Sequence, residues 1–412
     1  MCGKDKKQTD NKKEKGRAMK NIVAMILAGG RGKRMDILCY GRSKPVLPYA
    51  GMWRVIDFSL SNCIHSGINN IAALIDYQRQ YTAEYLKEWC ITNTSGNSLH
   101  ILEPKLDSYK GTSDAVYQNL DYLRDSNPEA VLVLAGDHIY KMDFRKMLAF
   151  HQQKKADVTV GVVRVPMQQT NRFGITTIDN DGRIIDFVEK PHRPASNLAS
   201  MGIYIFKPEV LVEHLMEDNA QSASVHDFGY TIIPKMVMWN KVFAYEFGGY
   251  WRDIGTIEAY HEANMELIVP QPSLSLNSNW PILTRESISL PHAIADAGTI
   301  KHSIISPGCT IRGRVENSVL SPGVVVEEQA IIRNSIIMPN SVIGKHSVVD
   351  RCILDEEVNI GKFCYVGFGS GLASGGSNIT VVGRGVSIPS GTAVGRSQKV
   401  LPETKLMAGI KG

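Results

Sequence analysis

The chain has 412 residues, enough for two or three domains that each bury a hydrophobic core. Its 43% hydrophobic and 21% charged residues are ordinary for a soluble globular protein, and its net charge of +5 does not indicate nucleic-acid binding. The seven cysteines include no C-x-x-C pair, which argues against a structural zinc site and a disulfide framework. The apolar runs are too short to span a bilayer and no signal-peptide core is present, so we expect a cytoplasmic protein without membrane contact.

Residues 1–20 form a basic segment in which almost nothing could be buried. We predict that this segment is a disordered tail. A nucleic-acid-binding arm is the alternative interpretation, but no aromatic residue is interleaved there for base stacking.

Residues 21–268 alternate short apolar runs with helix-like segments. Buried strands are predicted at residues 22–28, 71–75 and 130–135, with helices at residues 57–66 and from a cap at Thr112 or Ser113 to Arg124. Buried strands separated by helices predict an α/β domain with a Rossmann-like, mostly parallel sheet. Such sheets bind ligands at the carboxyl ends of their strands, so the motifs at those ends are the candidate site.

The last third of the chain has a six-residue period. Aliphatic residues recur every six positions from Val319 to Val349, and a neighbouring series runs from Val324 to Val366. This spacing predicts three short strands per coil with one inward aliphatic side chain each, as in a left-handed parallel β-helix. We place the β-helix at residues 292–412, after a proline-rich linker at residues 269–291.

Three groups of polar residues lie near predicted strand ends. The glycine-rich segment 27–34 could bring backbone amides close to a phosphate, with Arg34 and Lys44 as nearby cations. Asp137 and Asp253 could together bind Mg²⁺, although a lone Gly-Asp could also cap a turn. The third group has a lysine suited to a sugar phosphate, beside carboxylates and hydroxyls suited to a polyhydroxylated ligand: Glu189, Lys190, Ser200, Tyr204 and Asp227.

The order and spacing of these motifs resemble the glucose-1-phosphate adenylyltransferases, the bacterial ADP-glucose pyrophosphorylases of glycogen synthesis. The resemblance covers about residues 21–410 and rests on these segments: Leu27-Ala-Gly-Gly-Arg-Gly, Arg42-x-Lys44-Pro45, Ile56-Asp57-Phe58-x-Leu60-Ser61-Asn62, Gly111-Thr112-x-Asp114-Ala115, Gly136-Asp137-His138-Ile139-Tyr140, Glu189-Lys190-Pro191, His226-Asp-Phe-Gly229 and Tyr250-Trp-Arg-Asp-x-Gly-Thr256.

The resemblance implies that ATP and glucose 1-phosphate give ADP-glucose and pyrophosphate. It implies that Asp137 and Asp253 hold Mg²⁺, that Arg34 and Lys44 stabilise the leaving pyrophosphate, and that Lys190 holds the sugar phosphate. The implied glucose site contains Glu189, Ser200, Tyr204, Asp227 and Trp251. The implied nucleotide site contains Leu27, Gly29, Gly30, Tyr109, Gly111 and Thr112.

The resemblance also implies a homotetramer with small-molecule effectors, and a heteromeric partner is conceivable. The chain departs from the family pattern at Gly41, where many relatives have a basic residue, and at Ile75-Asp76 and Ser108. These departures leave the chemistry intact, but the usual activator response is not carried over to this chain. Arg351 is a candidate effector contact.

Three alternatives remain beside this interpretation. The chain could join a different nucleotide or sugar, since such enzymes share fold and mechanism. It could be a non-catalytic regulatory subunit, although it keeps the cationic and metal-binding side chains that such subunits tend to lose. The β-helix could also belong to an acyltransferase that uses His302 or His346, but neither histidine has a recognisable base-orienting partner in the sequence.

Overall fold

The computed structural model describes residues 21–94, 98–276, 278–285, 293–294, 298–369 and 377–404. The predicted tail at residues 1–20 lies outside these ranges, as do parts of the predicted linker and the last eight residues. No helix within the described ranges is long and apolar enough to cross a membrane. The cysteines within them are all free.

The first part of the chain contains thirteen strands within the described residues. They are β1 (Ile22–Leu27), β2 (Pro48–Tyr49), β3 (Trp53–Arg54), β4 (Asn70–Leu74), β5 (Ser98–Leu102), β6 (Ala130–Ala135), β7 (His138–Tyr140), β8 (Val158–Arg164), β9 (Gly174–Ile178), β10 (Ile184–Glu189), β11 (Leu198–Phe206), β12 (Val242–Glu246) and β13 (Trp251–Asp253).

The same part contains eight α-helices within those residues. They are α1 (Val55–His65), α2 (Arg79–Asn93), α3 (Thr112–Tyr117), α4 (Leu120–Ser126), α5 (Phe144–Lys154), α6 (Pro208–Asn219), α7 (Ile233–Trp239) and α8 (Ile257–Met265). Short 3₁₀ helices span Lys33–Cys39, Lys44–Val46 and Met167–Arg172, and one π-helical turn spans Phe228–Ile232.

A nine-stranded mixed sheet forms the core of this part. Strands β5, β4, β1 and β6 are parallel neighbours, in agreement with the mostly parallel sheet predicted for residues 21–268. Strand β11 then runs antiparallel to β6, β8 and β9. The predicted strands match β1, β4 and β6, and their carboxyl ends meet at one edge because they are parallel. Two small sheets, β2–β3 and β7–β13, lie beside the main one.

The predicted helix from residue 112 to Arg124 is two helices, α3 and α4. The side-chain amide of Asn119 donates to the carbonyl of Ala115, and its backbone N–H bonds to Val116 instead of continuing the α-helical pattern. The predicted cap is also wrong, because Gly111 is the N-cap and Thr112 is already helical. The Thr112 hydroxyl bonds to Asp227 instead of capping the helix.

The second part of the chain is a left-handed parallel β-helix built from three six-stranded parallel sheets. The first sheet contains Ala293–Ile294, Thr310–Ile311, Val325–Val326, Val342–Ile343, Asn359–Ile360 and Ser387–Ile388. The second contains Thr299–Lys301, Arg314–Glu316, Ile331–Arg333, Val348–Asp350, Tyr365–Phe368 and Ala393–Gly395. The third contains Ile304–Ile305, Val319–Leu320, Ile336–Ile337, Cys352–Leu354, Thr380–Val382 and Lys399–Val400.

The six-residue period is real, but the predicted inward series shifts by one residue. Val325 pairs with Val342, and Ile331 with Val348, so these coils advance by 17 positions and not by 18. In each of these coils, one of the three strands therefore begins five residues after the start of the previous strand, and not six. As a result Val326 and Ile332 are fully buried, whereas Val325 and Ile331 are only half-buried.

A shared hydrophobic core joins the two parts of the chain. Met35, Ile37 and Leu38 from the first 3₁₀ helix are buried with Met338 and Ile353 of the β-helix. The described residues of the predicted linker contribute to the same core through Leu274 and Ile282. The β-helix therefore packs directly against the segment that follows the glycine-rich loop.

Buried ion pairs cross the same interface. The carboxylate of Glu356 in the β-helix lies 2.7 Å from Arg54, 3.1 Å from Arg42 and 2.6 Å from Arg384. Burial by itself raises the pKa of Glu356, but the three arginines outweigh it and lower the pKa to about 2.

We expect Glu356→Gln to flatten the dependence of stability on pH in the acid range. A carboxyl group with a depressed folded-state pKa stabilises the fold above its unfolded pKa, and that stabilisation is lost as the pH falls towards about 2. The free energy of unfolding of the wild type, measured by urea denaturation below about pH 5, should therefore fall more steeply than that of the variant. Glu357→Gln changes the exposed neighbouring carboxylate and should follow the wild type; equal slopes for all three proteins would contradict the prediction.

Candidate active site

A cleft of about 540 Å³ opens at the carboxyl ends of β1, β4 and β6. Ten of the predicted site residues line it: Leu27, Gly29, Gly30, Arg34, Lys44, Tyr109, Gly111, Thr112, Asp137 and Asp227. The strand ends thus bring together segments that are far apart in sequence. Backbone amides, cations and carboxylates meet in one concave site, which is the arrangement that a phosphate-containing ligand requires.

The glycine-rich loop fits closely against the end of β4. A β-carbon at Gly29 would lie 2.8 Å from the β-carbon of Asp76, so a side chain at that position would displace one of the two segments. Gly32 adopts a left-handed conformation with a φ of 59°, which favours glycine. The loop backbone can therefore follow the floor of the cleft closely enough to contact a ligand.

The ammonium group of Lys44 lies between the two predicted metal ligands. Its Nζ is 2.9 Å from Oδ2 of Asp137 and 3.2 Å from Oδ1 of Asp253. Burial lowers the pKa of Lys44, but the two carboxylates outweigh it and the pKa is raised. Burial raises the pKa of each aspartate, but Lys44 and His138 outweigh it and the pKa of each is lowered. All three groups are therefore charged at neutral pH.

The carboxylate oxygens of Asp137 and Asp253 fit a divalent cation. Oxygens of Asp137 and Asp253 converge on the ammonium of Lys44, so two carboxylates lie close enough together to share a cation. In the described part of the chain no three His, Cys, Asp or Glu side chains form a metal cluster. Two carboxylates with further oxygens from substrate phosphates and water are nevertheless the coordination that Mg²⁺ commonly has at nucleotide sites.

Two arginines add positive charge to this cluster. Arg172 donates from Nη2 to Oδ2 of Asp253 at a distance of 3.0 Å. Arg34 lies close by, since a β-carbon on Gly255 would be 3.0 Å from its Nη2 and 2.9 Å from Oδ2 of Asp253. Three cations, Arg34, Lys44 and Arg172, therefore surround the two carboxylates at this end of the cleft.

The predicted sugar-binding residues continue from the cleft through Asp227. Its Oδ2 accepts a hydrogen bond from the Thr112 hydroxyl at 2.9 Å, and its Oδ1 accepts from the backbone N–H of Gly229 at 2.9 Å. The carboxylate of Glu189 also lies against Gly229, because a β-carbon on that glycine would be 2.5 Å from Oε2. The Lys190 ammonium is 2.8 Å from Oε1 of Glu189 and lies over the ring of Tyr230.

The remaining predicted residues lie around this group. The hydroxyls of Ser200 and Tyr204 are 3.3 Å apart, and the ring of Tyr204 stacks on Phe228. Trp251 packs its ring against His138, and its buried indole N–H has no hydrogen-bond partner among the described residues. The structure thus connects the predicted sugar residues to the cleft, with Asp227 belonging to both.

Sequence reasoning missed three residues at the site. Asp76 lies two residues past the end of β4 and lines the cleft, and its Oδ2 accepts a hydrogen bond from the backbone N–H of Tyr109. Its place after a buried strand is a signal that could have identified it. His138 was part of a recognised motif, and its Nε2 lies 3.6 Å from Asp137. Arg172 lies in a 3₁₀ helix without a sequence signal, and only the tertiary fold brings it to Asp253.

We expect Gly111→Ala to lower the free energy of unfolding by about 1–3 kcal/mol through overpacking. A β-carbon at Gly111 would lie 2.1 Å from the carbonyl oxygen of His226, so the loop that carries Asp227 would have to move. Urea denaturation measures this change. Gly30→Ala is the matched control, because a β-carbon there meets no atom within 4 Å; equal stability of the two variants would refute the expected clash.

Comparison with known families agrees with this geometry. Residues 23–269 match the family model described as nucleotidyl transferase, and residues 291–373 match the one described as GlmU-like, C-terminal hexapeptide. The fold is therefore that of a nucleotidyltransferase enzyme that carries a hexapeptide-repeat β-helix.

Curated relatives narrow the assignment. A glucose-1-phosphate adenylyltransferase from Acetivibrio thermocellus is 42% identical, with 93% of each chain covered. Proteins of the same name from Pseudothermotoga lettingae and Thermomicrobium roseum are 43% and 41% identical, and the matches cover 92% and 94% of this chain and 94% of each relative. The chain belongs to the glucose-1-phosphate adenylyltransferase family.

Proposed function

We propose that the chain transfers the adenylyl group of ATP to the phosphate of glucose 1-phosphate and releases pyrophosphate. The observation that carries this proposal is the pairing of Lys44 with Asp137 and Asp253 at the phosphate-facing end of the cleft. It supports the proposal because the cations and candidate metal ligands lie beside the residues that we propose for the nucleotide and for the sugar.

In this reaction an oxygen of the sugar phosphate attacks the α-phosphorus of ATP in line. A new bond forms between that oxygen and the α-phosphorus, and the bond from the α-phosphorus to the bridging oxygen breaks, so pyrophosphate leaves with the bonding electrons. The backbone of Leu27, Gly29 and Gly30 supports the nucleotide, and Tyr109, Gly111 and Thr112 complete the nucleotide site in the same cleft.

The cations of the site offset the repulsion between two polyanionic substrates. Arg34 and Lys44 stabilise the negative charge that builds up on the leaving pyrophosphate, and Lys190 holds the phosphate of the sugar. Mg²⁺ bound by Asp137 and Asp253 would neutralise triphosphate charge and orient the phosphates. Glu189 and Asp227 accept hydrogen bonds from sugar hydroxyls, with Ser200, Tyr204 and Trp251 around them.

The biological role that we propose is the supply of ADP-glucose for glycogen synthesis, by a homotetramer that responds to small-molecule effectors. We propose the division into a catalytic domain at residues 21–268, a linker at 269–291 and a β-helix domain from residue 292 on the same basis. The support is the family to which the chain belongs and the change in architecture between the two parts.

The test is pyrophosphate release by the purified chain with Mg²⁺ and glucose 1-phosphate, with ATP, UTP, dTTP and GTP offered separately. Rapid release with ATP alone is the expected result. Preference for another nucleotide would leave the fold assignment unchanged and would refute ATP as the substrate. If none of the four nucleotides gave pyrophosphate release, the regulatory-subunit alternative would be favoured. Mixing this chain with a catalytically competent relative would then test that alternative.

A further inference from the structure

Two buried arginines hold the segment that carries Lys44 at both of its ends. Nε of Arg42 donates to the carbonyl oxygen of Leu38 at 3.0 Å, and Nη1 of Arg54 donates to the carbonyl oxygen of Val46 at 3.1 Å. Lys44 lies between these two carbonyls in sequence. The arginines therefore fix the backbone on each side of the lysine.

The outer nitrogens of both guanidinium groups reach the β-helix. Arg42 contacts Asp355 through Nη2 at 2.5 Å and Glu356 through Nη1 at 3.1 Å. Arg54 contacts Glu356 through Nη1 at 2.7 Å. The two carboxylates lie next to each other at a coil corner directly after the strand Cys352–Leu354. One pair of β-helix residues thus anchors both ends of the segment.

All four side chains of this cluster are buried, with exposed fractions of 7% or less. Buried ion pairs cost desolvation energy, and apolar packing often stabilises a fold equally well. The same interface already has apolar packing through Met35 and Leu38. Apolar contacts alone would therefore join the two parts of the chain. The charged groups meet a second requirement, because the guanidinium groups hold two backbone carbonyls in a fixed geometry.

We propose that Asp355 and Glu356 are positioning residues for the reaction and that they act through Arg42 and Arg54 to hold Lys44 between Asp137 and Asp253. The inference rests on the proposed role of Lys44 at the reacting phosphates. The β-helix is then part of the support of the active site, because a displacement of about 1 Å at a catalytic group can cost about 100-fold in rate.

A double-mutant cycle on kcat tests this proposal. Glu356→Gln is expected to lower kcat for pyrophosphate release by about tenfold or more, with smaller changes in KM, because it acts through the position of Lys44. In a Lys44→Ala background the same substitution should have little further effect on kcat. Additive effects of the two substitutions would overturn the proposal, since Glu356 would then act on the reaction independently of Lys44.

The matched control is Asp350→Asn. Asp350 is a largely buried carboxylate of the β-helix that also pairs with arginines, but both of them, Arg333 and Arg396, belong to the β-helix itself. Its loss should change the melting temperature without changing kcat. A fall in kcat equal to that of Glu356→Gln would show a general loss of β-helix stability and would overturn the positioning role.

Hydrogen exchange of residues 38–46 provides a readout that does not depend on activity. Backbone amides in this segment should exchange faster in Glu356→Gln than in the wild type or in Asp350→Asn, and unchanged exchange would overturn the proposal. Asp355→Asn replaces Glu356→Gln in both measurements if the latter does not fold. If the wild type releases no pyrophosphate, the proposed function fails, while the exchange result still decides whether these carboxylates hold the segment.

Discussion

Asp137→Asn should lower kcat by about 100-fold or more at saturating Mg²⁺ and both substrates, as measured by pyrophosphate release. The carboxylate of Asp137 lies 2.9 Å from the Lys44 ammonium and shares that cation with Asp253. A neutral amide cannot balance the positive charge there, and it is a weaker ligand for a hard divalent cation. The loss of charge balance and the weaker metal binding both act on the phosphates, where negative charge moves during the reaction. We therefore expect the substitution to change mainly kcat.

The control for this variant is Asp143→Asn, which changes an aspartate that follows Asp137 closely in the sequence. Asp143 caps α5 by accepting from the backbone N–H of Arg145, and asparagine caps helices about equally well. This control should keep wild-type turnover and stability. Wild-type turnover in Asp137→Asn at saturating Mg²⁺ would instead remove Asp137 from the metal site.

Lys190→Ala is expected to raise the KM for glucose 1-phosphate by about 10- to 100-fold, the loss that a charge-assisted hydrogen bond of about 1.5–3 kcal/mol implies. Burial lowers the pKa of Lys190, but its hydrogen bond to Glu189 outweighs burial and raises the pKa. The ammonium is therefore charged at neutral pH and can bind a phosphate. Because its proposed contact is with a part of the substrate that is charged before and after reaction, kcat and the KM for ATP should change much less.

Lys235→Ala is the matched control for the sugar-phosphate site. Its ammonium pairs with Glu217 between α7 and α6, at a partly exposed position. Initial rates at varied glucose 1-phosphate and saturating ATP should give a wild-type KM for this variant. An unchanged KM in Lys190→Ala as well would show that Lys190 is an ordinary surface charge.

The sequence by itself predicted the strands that position the cleft and the β-helix that follows. Local apolar runs indicate buried strands, and a six-residue repeat indicates a β-helix. Both can therefore be predicted from the sequence without knowledge of distant contacts. Asp137 was identified for the same reason, because it lies two residues past the end of β6. The break between α3 and α4 was not predicted, since it depends on one side-chain amide of Asn119 competing for a backbone carbonyl.

Only the tertiary structure decided which of these groups touch. Lys44 meets carboxylates 93 and 209 positions later in the chain, and Arg42 meets Asp355 313 positions later. Arg172 reaches Asp253 from a 3₁₀ helix that has no sequence signal. Local patterns specify elements and their ends, whereas the pairing of charges depends on how sheet, loop and β-helix pack together. For that reason the sequence determined the kind of site that this protein carries, and the packing of its two parts determined how Lys44 is held within it.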